Sequence, residues 1–432
     1  MKRILWVCNI MIPAIAKSRS MESSVREGWL SGIFDKLQNT KEDLTLGIAF
    51  PVTKEEFILL GKKFVYREGK KEIYCYPFYE DLGHPEEYDP SLEGYATDIL
   101  EDFQPNIVHL FGTEFPHAYA FAKVFRKPNQ TLLGIQGLCF RIATEYMAGL
   151  PTKVVKSKTI RDILRKDSLM EQQNKFVRRG EIEKKTIALS NVITGRTSFD
   201  REESLKINPN AKYYLMNETM RSDFYEENQG IEEAYSLFLG QGDYPLKGLH
   251  FVLEAMGRLK EKYPEMKLYI AGNSVISHQS LKDIIKLPAY GKYLLSLIRK
   301  YDLKDRVIPL GRQSSKQMRE RYQKSAVILC ASVLENSPNT VAEAMLLGKA
   351  VIGSEVGGIP DMIEDKKNGL LFQSGNSEDL AEKISLLFDN PQMREKLGAN
   401  ARETALVRHN GDKNFEVLMK IYEDMYESNL RI

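Results

Sequence analysis

At 432 residues the chain exceeds one ordinary core, since domains usually hold roughly 100–200 residues, and two domains are expected. Its 43% hydrophobic and 28% charged residues are those of a soluble globular protein, and a formal net charge of +2 gives no global reason to expect nucleic acid. The four cysteines (Cys8, Cys75, Cys139, Cys330) form no Cys-x-x-Cys, the six histidines no His-Glu-x-x-His, and no apolar run reaches the roughly 18 residues of a membrane span. A disulfide framework, a zinc knuckle and a metalloprotease are therefore not indicated, and a reducing cytoplasm fits.

Lys2-Arg3, an apolar stretch and Ala14-Ile15-Ala16 mimic a signal peptide. Asn9 and Pro13 interrupt that stretch, so residues 4–7 read as the first buried strand of an α/β sheet. Strand-like runs follow at 43–50 (DLTLGIAF), 106–112 (NIVHLFG), 131–137 (TLLGIQG) and 191–196 (NVITGR), with helical patterns at 27–38 and 118–127. The second half repeats this at 235–242, 267–273, 306–311, 326–331, 349–354 and 369–373, with helices including 249–262 and 377–387. Such alternation is that of parallel strands with crossover helices, one doubly wound sheet in each half. The polar, glycine-bearing YEENQGIEEAY at 225–235 marks the boundary. The expected division is 1–228, 229–408 and a C-terminal helix within 409–432 packing back on the first domain. In such sheets ligands bind beyond the strand C-terminal ends, so the cleft between the two sheets is the expected site.

Residues 151–185 hold eleven Lys or Arg against five Asp or Glu, with Ile160, Ile163, Leu164, Leu169 and Met170 among them. This composition fits a solvated helix pair, or a dock for an anionic bilayer or a lipid pyrophosphate.

The segment AVILCASVLENSPNTVAEAMLLGK reads as strand, loop and helix. Ser337 is expected as the N-cap with Pro338 at the first helical position. The N–H groups of Asn339 and Thr340 then point from a partially positive helix end that suits a phosphate. Glu343, among Val341, Ala342, Ala344 and Met345, needs a partner that ribose hydroxyls can supply, and Glu335 is placed to accept from sugar hydroxyls. A loop acid and a structural ion pair are the plainer alternatives. In the first half, VHLFGTEFPHA supplies His109, Glu114 and His117 at a strand end, and Gly28 stands where the first helix begins. His109 reads as a core residue; His117 either packs the following helix or serves the site.

The run ENSPNTVAEAMLLGKAVIGSEVGGIPDMIEDKKNGLLF resembles the Glu-x7-Glu signature and following Gly-Gly loop of family 4 retaining glycosyltransferases (group 1 glycosyl transferases). Upstream, YPLKGLHFVLEAM, KLYIAGN and RVIPLGRQSSKQM occur in that family's order, so the resemblance covers most of 235–387. It implies the GT-B fold: two facing Rossmann-like α/β domains with the active site in the interdomain cleft. It implies a retaining transfer of a sugar from a nucleotide-sugar to a hydroxyl of a glycan or lipid-linked acceptor. Lys247 is then assigned to the diphosphate, Glu335 to the donor sugar, Asn339 and Thr340 to the phosphates, and Glu343 to the ribose. Catalytic roles fall on Glu335, Lys247 and His117, and donor contacts also on Gly28, Gln136, Gln241 and Arg312.

Two departures stand out. Gln241 replaces the Arg the family usually carries six residues before the lysine, leaving Arg312 or another basic residue to neutralise the leaving group. Gln136 stands where a His is frequent, which removes proton transfer there and keeps hydrogen bonding. No Asp-x-Asp occurs, so no metal and no cofactor beyond the co-substrate is expected. The resemblance further implies bacterial surface polysaccharide synthesis in the cytoplasm at the inner face of the plasma membrane, while peripheral association with anionic membrane is expected from the basic segment 151–185. Two rivals stay open: an epimerase of the same fold using Glu335 with His117, and a non-catalytic nucleotide-sugar binding protein.

Overall fold

A computed structural model describes residues 2–22, 28–147, 149–226, 230–276 and 285–430. The chain forms two compact units: Met1–Phe140 with Phe176–Arg221 and His409–Ile432, and Arg141–Lys175 with Ser222–Arg408. Relative to the division expected from sequence, residues 141–175 group with the second unit, and the C-terminal helix Gly411–Leu430 groups with the first.

The first unit is built on eight strands: β1 (Lys2–Val7), β2 (Leu44–Val52), β3 (Phe64–Tyr66), β4 (Ile73–Tyr79), β5 (Ile107–Phe111), β6 (Thr131–Gly134), β7 (Val192–Gly195) and β8 (Lys212–Leu215). They are ordered β3-β4-β2-β1-β5-β6-β7-β8, and all pair in parallel except β3 with β4. β1 and β5 are buried along nearly their whole length, as strands covered on both faces must be. One cover is the C-terminal helix, whose Leu418, Ile421, Tyr422 and Met425 join Ile4 and Trp6 in one core. Tyr422 Oη accepts from Trp6 Nε1 at 2.8 Å and lies 2.7 Å from His109 Nδ1. Burial pushes His109 down to about 3, so it is a neutral core residue, as its place within a strand suggests.

The second unit holds β9 (Glu233–Leu239), β10 (Lys267–Ala271), β11 (Val307–Gly311), β12 (Ser325–Cys330), β13 (Val351–Ser354) and β14 (Leu370–Phe372). Their order is β11-β10-β9-β12-β13-β14, wholly parallel. Each sheet winds outward in two directions, from β9 and β12 here and from β1 and β5 in the first unit. At such a reversal the crossover helices leave to opposite faces, and the loops after the two central strands part to leave a crevice at the strand C-terminal ends.

Candidate functional site

In the second unit the reversal lies between β9 and β12, and the loops after these strands carry most of the residues singled out from sequence. After β9 the chain passes Gln241 and makes a single 3₁₀ turn at Pro245–Lys247 before the helix Leu249–Leu259. Gly248 joins the two at φ +68°, and a Cβ there would lie 1.8 Å from the Ala331 carbonyl oxygen. Only glycine combines that backbone turn with so close an approach. The Val333 N–H donates to the Leu246 carbonyl at 2.8 Å, fastening the turn to the loop after β12.

That fastening brings Lys247 Nζ to 2.6 Å from Glu335 Oε1, with both side chains under one-fifth exposed. Ser332 Oγ donates to the same carboxylate oxygen at 2.7 Å, and the Gly358 N–H donates to the Glu335 carbonyl at 3.0 Å. Gly357, at φ +53°, lies so close that a Cβ would sit 2.0 Å from that carbonyl oxygen. Burial alone would pull the Lys247 ammonium down, but the charge of Glu335 holds it well above the usual lysine value. Burial pushes the neighbouring Cys330 thiol up to about 12, with Glu335 adding to the effect, so it stays protonated.

The helix after this loop runs Asn339–Leu346 with Pro338 in the cap position and no side-chain cap. This corrects the expectation that Ser337 caps it. The Ser337 hydroxyl turns to Met362 Sδ at 3.6 Å, and Pro338 enters with its own carbonyl accepting the Val341 N–H at 3.0 Å. With no side-chain acceptor, the first-turn N–H groups of Asn339 and Thr340 are left for a partner from outside the helix. Asn339 is exposed. The Gly240 backbone runs against Thr340, where a Cβ would meet the threonine Oγ1 at 2.7 Å. Glu343 is buried one turn in and accepts from Tyr322 Oη at 3.2 Å.

Beyond β9, β10 and β11 a polar chain continues this edge. Arg312 Nε donates to Asn273 Oδ1 at 2.8 Å, and Asn273 Nδ2 donates to Asp243 Oδ2 at 3.2 Å. The guanidinium of Arg312 is therefore held by a side chain at the end of the next strand. Sequence reading missed Ser332, Tyr322, Asn273 and Asp243. Three of them stand within a few residues after a strand, which is the signal that could have found them.

The first unit's reversal, between β1 and β5, also gathers polar groups. His117 Nδ1 lies 2.5 Å from Glu80 Oε2, its Nε2 3.1 Å from Asn9 Oδ1, and its backbone N–H donates to Glu80 Oε1. Both ring nitrogens are thus held by side chains, and the residue is 1% exposed. Glu114 takes N–H bonds from Thr113 and Gly137, each at 3.0 Å, while burial raises its pKa. The Gln136 carbonyl accepts from Arg196 Nη2 at 2.6 Å. Gly112, at φ +103°, backs against Glu114, Asn9 and Gln136. Glu183 is fully buried, takes the Thr113 hydroxyl and the Phe140 N–H, and is pushed up to about 8 by burial. Gly28 is the first described residue of the helix Gly28–Asn39, but the shorter helix Pro13–Ser18 precedes it, so it does not stand at the start of the chain's first helix.

Residues 222–404 match the family described as Glycosyl transferases group 1. Over this stretch the chain is similar to group 1 glycosyl transferases. Trehalose synthase of Pyrococcus horikoshii is 33% identical over 159 residues, 37% of this chain and 36% of that protein. N-acetyl-alpha-D-glucosaminyl L-malate synthase of Bacillus anthracis is 29% identical over 138 residues, 32% of this chain and 35% of that protein. The chain spans little more than a third of the length of these curated relatives. Among solved structures, sucrose-phosphate synthase from Thermosynechococcus elongatus matches with a TM-score of 0.69 at 15% identity, over 99% of this chain and 100% of that one. Anabaena HepE in complex with UDP and glucose matches at 0.63 and 13% identity, over 97% and 99%. The two parallel-sheet α/β units are those of the GT-B fold.

Proposed function

We propose that the chain is a retaining glycosyltransferase, moving a sugar from a nucleotide-sugar to a hydroxyl of a glycan or lipid-linked acceptor. The observation that carries this reading is the Lys247–Glu335 pair beside an uncapped helix N-terminus, at the reversal of a unit similar to group 1 glycosyl transferases. A diphosphate at that helix end takes the N–H groups of Asn339 and Thr340 and the ammonium of Lys247, whose raised pKa keeps it charged. As Lys247 turns to the phosphates, Glu335 becomes an acceptor for the donor sugar's hydroxyls. Glu343, a buried carboxylate that accepts from Tyr322, is the acceptor for the ribose in this reading.

The chemistry is a front-face substitution. The leaving diphosphate, stabilised by Lys247 and the helix N-terminus, accepts the proton of the acceptor hydroxyl. The new C–O bond forms on the face the diphosphate vacates, which retains configuration. No side-chain nucleophile is called for, and Cys330, next to the pair, is held as a thiol. Charge neutralisation by Lys247, Arg312 and backbone N–H groups makes the reaction independent of a divalent ion in this reading. His117, engaged on both nitrogens, serves the scaffold, which favours transfer over an epimerase needing a free acid and base. The named relatives and the UDP in the HepE structure support a nucleotide-sugar donor, with uridine the first base to test. Bacterial surface polysaccharide assembly on the cytoplasmic face of the membrane is the setting we propose.

A thermal-shift panel of UDP-, GDP- and ADP-sugars, followed by transfer in excess EDTA, tests this. One nucleotide class should raise Tm selectively, and transfer should persist with the metal removed. Loss of transfer restored by manganese or magnesium would contradict metal independence, and turnover of donor without acceptor would point to the epimerase.

A further inference from the structure

Within the second unit, the short helix Ile160–Arg165 inverts the usual arrangement of a surface helix. Its one buried residue is an acid: Asp162 is 1% exposed. Its apolar residues face out, with Ile160 68%, Ile163 61% and Leu164 79% exposed. The cause is a polar anchor. Asp162 Oδ2 accepts the N–H of Ala289 at 3.0 Å, at the start of the helix Ala289–Lys300, and the N–H of Thr159 at 3.0 Å. Thr159 returns a capping bond, its hydroxyl oxygen accepting the Asp162 N–H at 3.2 Å. The carboxylate thus meets the partially positive end of another helix, which fixes the rotation of its own helix and turns Ile160, Ile163 and Leu164 outward. Met170, just beyond, is also exposed.

Among the described residues, the unpaired charges around this apolar group are of one sign. Lys153, Lys156, Arg165 and Lys166 are exposed and enter no ion pair among the described residues, while Asp167 is taken by Arg161 at 2.6 Å and Glu171 by Lys158 at 3.4 Å. A second helix with bared apolar residues shows what the charges decide. Lys54–Leu60 exposes Ile58 and Leu59, but its first turn carries Glu55 and Glu56, and the nearby Lys62 and Lys63 are paired with Asp98 and Asp102. Of these two, the 153–170 segment couples outward apolar side chains to free cations, the combination that an anionic lipid surface rewards with acyl contact and headgroup charge together.

We propose that residues 153–170 are an interfacial anchor that seats the chain on an anionic phospholipid bilayer, with Ile160, Ile163 and Leu164 entering the acyl boundary and Lys153, Lys156, Arg165 and Lys166 meeting the headgroups. This stands whether or not the chain transfers sugar, since binding is read without donor or acceptor. The full chain should sediment with vesicles of phosphatidylglycerol and phosphatidylcholine and stay in solution with phosphatidylcholine alone. Arg165→Gln and Lys166→Gln should each weaken binding about fivefold, with a flatter salt dependence. Ile163→Glu with Leu164→Glu should weaken it about tenfold or more even at low salt. Ile58→Glu with Leu59→Glu is the control and should leave it unchanged. Thermal melts of each variant separate lost docking from lost fold. Equal binding by the wild type and the Ile163/Leu164 variant, or no binding by the wild type, would overturn the proposal. So would a concentration-dependent dimer that Leu164→Glu dissolves, which would assign this face to a second copy of the chain.

Discussion

Both units place polar residues where their sheets reverse direction, yet the two clusters end differently. In the first unit, Glu80, His117 and Asn9 close on one another, and Glu114 and Glu183 are met by backbone N–H groups and the Thr113 hydroxyl. In the second, Lys247 and Glu335 stay partly exposed beside a helix whose first N–H groups no side chain caps. A polar cluster satisfied from within rigidifies the unit that carries it. One left with exposed atoms keeps its hydrogen-bonding capacity for a ligand. Topology alone therefore marks two crevices, and hydrogen-bond completion distinguishes the closed cluster from the open one, which is the candidate site.

The strongest way to break this comparison is at the turn that builds the open cluster. Gly248→Ala places a Cβ against the Ala331 carbonyl at a positive φ. It should cost about 2 kcal/mol or more, seen as a lowered Tm, and displace Lys247 so that diphosphate binding weakens as well. A smaller and different effect is expected from the closed cluster. Folded Glu183 is pushed up to about 8, against 4.5 for an ordinary glutamate. Between those values the folded chain holds a proton that the unfolded chain has released. The stability tied to Glu183 is thus full below about pH 4.5 and is lost as pH rises through about 8. Glu183→Gln should flatten the fall of Tm over that window without changing nucleotide affinity. Glu114, also raised by burial, should leave a residual slope of the same sign. An unchanged slope in Glu183→Gln would show that its proton is not held in the folded state.

The same contrast runs through what could be read from sequence. All six strands of the second unit correspond to runs visible in the chain, because each is a short apolar burst bounded by glycine or polar residues. In the first unit β3, β4 and β8 escaped. β3 is a three-residue antiparallel edge and β8 a half-exposed one, so neither carries a continuous apolar run. β4 contains Pro77, which argues against a strand. It is tolerated because β3 pairs only as far as Cys75, leaving no ladder partner on that side of Pro77. At the candidate site, Lys247, Glu335, Asn339 and Glu343 were singled out from spacing and family resemblance, and the structure places them on the loops after β9 and β12 and the helix that follows. Ser332, Tyr322, Asn273 and Asp243 were not singled out: three of them closely follow a strand, but that position does not say which polar residue finds a partner once the strands are assembled. The expectation for Ser337 failed on a local matter: Pro338 serves as the cap residue itself, freeing the serine hydroxyl to turn away.

The central claim is that the open pair holds a diphosphate, and calorimetry of nucleoside diphosphate binding to Lys247→Met, against wild type, tests it most directly. The variant removes one charge-assisted hydrogen bond to the ligand, worth roughly 1.5–3 kcal/mol, so affinity should fall about tenfold to a hundredfold. Equal affinity in a variant that melts like the wild type would contradict the account, leaving Lys247–Glu335 as an internal ion pair of the same kind as the closed cluster.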